Sequence, residues 1–119
     1  MSKLNINMIS KESAEHYLWG NNCHGWHLVK QLGLSVIQEI MPPGTSEVRH
    51  YHQQSRQFFF ILAGTATLEI DGSRQIISQH QGVEIPPKTP HQMLNESDRD
   101  LEFLIISQPP SHGDRILVS

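Results

Sequence analysis

The chain has 119 residues, 12 acidic against 9 basic side chains, and a single cysteine. That length is one domain, and a domain this small gains from self-association because much of its surface stays uncovered. No basic block offers nucleic acid a footprint, no apolar stretch approaches the ~18 residues of a membrane span, and the lone Cys23 excludes an internal disulfide.

The opening residues MSKLNINMISKES lack the apolar core of a secretory leader, so a cytoplasmic setting is expected. Residues 1–25 read as an irregular N-terminal lead-in, in which SKESAEHYLWG can hold a helical turn that stops at Gly20. From Trp26 the pattern turns to strand. WHLVKQL and LSVIQEIM are separated by Gly33, and MPPG breaks the chain. VRHYH, QFFFILA and TATLEI follow; Asp71-Gly72 marks a two-residue hairpin and RQIIS returns from it. GVEI, HQML and LEFLIIS complete about nine short strands, with PPKTP as a loop and residues 108–119 as a C-terminal tail. Short strands at this spacing predict an all-β sandwich or barrel with its core over residues 26–107.

Strand side chains alternate faces. Gln57, Phe59 and Ile61 therefore share one face of QFFFILA, and Phe58, Phe60 and Leu62 the other. Both faces are apolar. One can line a barrel interior; the other needs cover, and a homodimer is the expected source of it.

His50 and His52 also share a face, about 7 Å apart along a strand. Two imidazoles so placed can converge on one ion, although an isolated H-x-H is more often just a polar strand face. The surrounding spacing changes that reading. Gly44, five residues, His50, one residue, His52, four residues, Gln57, six residues, Gly64 is a layout that resembles the first motif of the cupin superfamily. PPKTPHQMLN, with His91 standing 39 residues after His52 and Asn95 beyond it, resembles the second. The resemblance covers roughly residues 35–107. It implies a small single-domain cupin, a double-stranded β-helix or jelly-roll barrel, with one divalent transition metal (zinc, iron, nickel, manganese or copper) held at His50, His52, Gln57 and His91.

Two positions depart from the family pattern. Lys88 stands where the second motif usually has glycine, and Gln57 where the first usually has glutamate. A neutral amide leaves the full charge of the ion uncompensated. The ion then becomes a stronger Lewis acid, an anionic ligand is favoured as counter-charge, and a ferric state is disfavoured. Gln57 can also stay out of the coordination and serve as a hydrogen-bonding residue of the lumen.

Phe59 and Ile61 beside Gln57, and Met93 and Asn95 on the face of His91, are expected to line the same pocket. For acid–base work the candidates are Glu47, just before the histidine strand, and Gln38 or Glu39, on a strand whose inward face the pattern does not settle. Trp19 and Trp26 are expected to pack over a barrel mouth. Cys23, His24 and His27 lack a fourth partner and the spacing of a closed zinc site. The resemblance implies action on a small organic molecule, and the neutral Gln57 favours an anionic one. It leaves open a metal-dependent isomerase, lyase or decarboxylase, a dioxygenase, or a binding module without turnover.

Overall fold

The computed structural model describes residues 6–119; the first five residues of the lead-in lie outside it. Eleven strands form two antiparallel sheets, and no helix occurs among the described residues. The nine strands read from the sequence are all present: β2 (Cys23–Lys30), β3 (Ser35–Met41), β4 (His50–His52), β5 (Arg56–Ala63), β6 (Ala66–Ile70), β7 (Ser73–Ile77), β8 (Gly82–Ile85), β9 (His91–Leu94) and β10 (Leu101–Gln108). Two more extend the barrel beyond the expected core: β1 (Glu15–Trp19) and β11 (Arg115–Leu117).

The additions correct the reading of both ends. EHYLW is no helical turn but a strand paired along its length with β2, Tyr17 opposite Gly25. The expected helical turn lies just before it, at residues 10–14, where the Ala14 N–H donates to the Ser10 carbonyl at 2.8 Å. The tail packs on the barrel: Arg115, Ile116 and Leu117 pair with His52, Tyr51 and His50. Both segments are short and have mixed polarity. Each is a strand because a neighbouring edge supplies the hydrogen bonds, which local propensity does not reveal.

One sheet runs β1-β2-β3-β10-β5-β8 and the other β11-β4-β9-β6-β7. The core lies between them. Phe59 and Ile61 of β5, Phe103 of β10, Leu68 of β6, Met93 of β9 and Met41 of β3 are almost wholly buried there. The alternation of β5 comes out as written in its sequence, with Gln57, Phe59 and Ile61 inward and Phe58 and Phe60 outward, their rings stacked. Lys88 takes the left-handed φ of 66° that a glycine would adopt without strain, and its N–H reaches the His52 carbonyl at 2.6 Å. The turn before His91 is thus tied directly to the strand that carries the other two histidines.

Candidate metal centre

Strand period places the three histidines. His50 and His52 are alternate residues of β4, 4% and 5% exposed, with Tyr51 turned the other way. His91 opens β9 directly opposite His50. The ring centroids lie 4.5 Å apart for His50–His91, 4.9 Å for His50–His52 and 5.8 Å for His52–His91. One nitrogen from each ring falls within 4.8 Å of the other two.

Their hydrogen bonds decide what those nitrogens offer. Each Nδ1 faces a backbone carbonyl: His50 that of Val48 at 2.7 Å, His52 that of Asp114 at 2.9 Å, His91 that of Thr89 at 2.9 Å. A carbonyl only accepts, so each Nδ1 carries the proton and each Nε2 keeps its lone pair. Nε2 of His52 and of His91 are fully enclosed without a partner among the described residues. Burial lowers the affinity of all three rings for a second proton, that of His50 to about 3. Neutral imidazoles with a fixed tautomer and converging lone pairs are what a divalent transition ion requires.

Gln57 stands beside this triad. Its Nε2 donates to Ser107 Oγ at 3.1 Å, which turns Oε1 the other way, and Oε1 is likewise enclosed without a partner. Buried polar atoms are rarely left unpaired. Three buried acceptors in one place fit a cation. The donor set, three imidazole nitrogens and one amide oxygen, suits zinc, nickel, iron or copper.

The remaining candidates separate clearly. Phe59 packs edge-on against His91, with centroids 5.9 Å apart, and so floors the triad. Phe59, Ile61, Met93 and Asn95 do not line the cavity. They share the inward face but lie deeper, sealed in the core, and Asn95 donates to the carbonyls of Met41 and Arg99 to hold a loop. Gln38 is also corrected: β3 turns it outward to Glu102, and Glu39 inward. Cys23, His24 and His27 scatter, as alternation dictates. Cys23 enters the core, His24 stacks outside with His16 and Trp26, and His27 faces the cavity. Trp26 is therefore away from the barrel mouth, and only Trp19 reaches it. Arg49 pairs on the outside with Glu69 at 2.5 Å.

A cavity of about 550 Å³ opens over His50, His52 and Gln57, walled by Trp19, Ile37 and Ile105 and edged by Arg115. A larger hollow of about 670 Å³, among residues 63–65, 78–79 and 97–100, contains no histidine. Two carboxyls face the first cavity. Glu39, 8% exposed, accepts from the Tyr17 hydroxyl at 2.6 Å, and burial raises it to about 7 against the opposing pull of Tyr17 and Arg115. Glu47 accepts the Met93 N–H at 3.0 Å; burial and then the charge of Glu39 raise it to about 8. Glu47, an acid–base candidate from the sequence, is thus a carboxyl held inside the site.

Tyr17 escapes a reading that starts at Trp26. It reaches Glu39 because Gly25 lies between them in register, opposite Tyr17 on one side and Glu39 on the other. A methyl group on Gly25 would sit 2.1 Å from the Tyr17 ring. Gly25→Ala should therefore displace the ring and break the Tyr17–Glu39 bond. The expected result is a loss of about 1–3 kcal/mol in denaturant unfolding, with metal affinity unchanged.

The same groups set the pH profile of the metal-free protein. The folded pKa of His27, His50, His52 and His91 lies below 6.5, so the unfolded chain takes up protons that the fold refuses as pH falls below 6.5. Glu39 and Glu47 act oppositely: their folded values, about 7 and about 8, lie above 4.5, so stability is lost as pH rises through them. Between 4.5 and 6.5 the two sets oppose each other; above 6.5 the carboxyls act alone. The melting temperature should therefore fall as pH rises from 6.5 to 8. A steady rise from pH 5 to 9 would contradict burial of the two carboxyls.

A family model described as Cupin domain matches residues 37–107. The chain is a cupin. A curated relative, the uncharacterized protein MJ1618 of Methanocaldococcus jannaschii, is 32% identical over 89 residues, 74% of this cupin and 71% of that protein. Among solved structures, KdgF from Halomonas sp. superposes with a TM-score of 0.81 at 13% identity, over 89% of this cupin and 96% of that chain. A predicted oxalate decarboxylase from Thermotoga maritima gives 0.78 at 19% identity, over 87% and 100%. The polyketide cyclase RemF from Streptomyces resistomycificus gives 0.77 at 14%, over 97% and 88%. At these identities the structural likeness concerns the fold.

Proposed function

We propose that this cupin binds one divalent transition metal through Nε2 of His50, His52 and His91, with Gln57 Oε1 at the same point, and acts on a small anionic organic molecule by proton transfer. The enclosed, unpartnered acceptors of the triad carry the first half of this reading. A bound ion would polarise an oxygen of the substrate as a Lewis acid. The chain's own residues would do the rest. Glu39 lines the cavity with Oε2 held by the Tyr17 hydroxyl, which leaves Oε1 as the place to receive or return a proton. Trp19, Ile37 and Ile105 exclude water from that wall. These acid–base groups favour isomerase, lyase or decarboxylase chemistry over oxygenation. The structural neighbours named as a predicted decarboxylase and a cyclase are consistent with it.

Calorimetric titration of chelator-treated protein with zinc, nickel, manganese, copper and ferrous iron tests the metal, with one equivalent expected. Short 2-oxo and 3-oxo acids in deuterium oxide test the chemistry by loss of their α-proton NMR signals. Failure to bind any of the metals overturns the reading. Metal binding and tight ligand retention without isotope exchange would leave a binding module in place of an enzyme.

Self-association through the outer face of β5, where Phe58 is 38% exposed, belongs to the same proposal. Sedimentation as a clean monomer at micromolar concentration would exclude it.

A further inference from the structure

We infer that Arg115 forms a carboxylate-binding subsite beside the histidine triad, so that the substrate of the proposed reaction is a short carboxylic acid with a second oxygen within reach of the triad. The inference rests on the proposed function for the triad, but the subsite has its own geometry. Arg115 is paired with His52 across β11 and β4. Directly opposed residues on neighbouring strands stand on the same face, so the guanidinium projects over the cavity with the His52 ring. Both residues line it.

Arg115 makes no ion pair among the described residues. Arg49, Arg56 and Arg74 each hold a glutamate, and Lys30 holds Glu15. Glu39 and Glu47 share the cavity with Arg115, and its charge acts on both, yet neither forms a salt bridge with it. An always-charged fork of donors is thus left facing a partly apolar cavity, where a planar carboxylate can take two parallel hydrogen bonds.

The mount is rigid. The Asp114 carboxylate accepts the N–H groups of Gln53, Gln54 and Ser55, each at 2.9 Å, and the Asp114 carbonyl orients His52. The residue that aims the metal ligand is the immediate neighbour of the one that faces the anion. A subsite with one free guanidinium and two carboxyls nearby suits a carboxylate better than a phosphate, which carries more charge and needs more donors.

Malonate and inorganic phosphate are the probes, measured by calorimetry on metal-free and zinc-loaded protein. Malonate should bind the wild-type chain more tightly than phosphate does. Arg115→Gln should weaken malonate about 10- to 100-fold in both forms, and Arg115→Lys should restore part of the loss as a point charge without the fork. Zinc affinity within a few-fold of wild type would show that the Arg115→Gln site is intact. Equal malonate affinity in Arg115→Gln, or tighter binding of phosphate than malonate, overturns the inference. If zinc fails to bind while malonate still depends on Arg115, the metal reading falls and the subsite stands. If zinc binds and malonate ignores Arg115, the reverse holds.

Discussion

Alanine at position 91 should abolish stoichiometric metal binding while the metal-free barrel still folds. His91 is 1% exposed, so its loss leaves a void against Phe59 and His50 and frees the Thr89 carbonyl. The same change removes an enclosed, unpartnered Nε2, which is a cost to the metal-free fold as it stands. The two effects oppose each other, and the metal-free melting temperature should fall by only a few degrees. The metal-loaded comparison differs sharply. A ligand present at a thousand times its dissociation constant stabilises the fold by about 4 kcal/mol, and a domain of this size shifts by several degrees per kcal/mol. The wild-type protein should therefore gain about 10–25 degrees with metal, and His91→Ala nothing. Asp114→Ala supplies the contrast. It keeps all three imidazoles but releases the turn at Gln53–Ser55 that follows His52. Affinity should then drop by about 10- to 100-fold, as for other groups that orient a ligand, with stoichiometry retained. Thermal shift with and without zinc, alongside elemental analysis, separates the two variants. An equal metal-induced shift in wild type and His91→Ala would remove the triad from consideration.

The parts of this site that could be read in the sequence are those that strand period controls. Two histidines one residue apart must share a face, and a third preceded by a proline-rich turn can meet them if the barrel closes. Likewise Gln57 could be placed on the inward face of QFFFILA by counting. The parts that could not be read depend on register between distant strands. Nothing local says that Arg115 stands opposite His52, or that Gly25 lies between Tyr17 and Glu39. VIQEIM is apolar on both phases, so only its pairing with β2 and β10 decides that Glu39 turns in and Gln38 out. Depth is equally hidden. Met93 and Asn95 share the face of His91, yet they continue away from the cavity into the core. Alternation specifies which side of a sheet a residue takes, not how far along the barrel it lies.

Gln57→Glu should turn the charge argument into a measurement. Residue 57 is 5% exposed, and its amide nitrogen is spent on Ser107, so the change mainly adds one negative charge where Oε1 now stands. Without metal that charge is buried near two other carboxyls, so the folded pKa of the introduced carboxyl should rise and the metal-free barrel should lose about 1–3 kcal/mol at neutral pH. With metal the sign reverses. A carboxylate beside a divalent ion offsets half of the ion's charge, and affinity should increase by about 10-fold or more, even after the cost of desolvating the carboxylate is subtracted. The anion then responds in the opposite direction. An open coordination position next to a site of net charge reduced by one attracts a carboxylate less strongly, so malonate binding to zinc-loaded protein should weaken by about 10-fold while its Arg115 dependence persists. Titrating zinc into the wild type and Gln57→Glu, then malonate into each loaded form, reads both effects. Unchanged zinc and malonate affinities would mean that residue 57 lies outside the coordination, leaving a three-histidine site. The predicted pair of opposite shifts would mean that the neutral amide trades affinity for the metal against affinity for an anionic substrate.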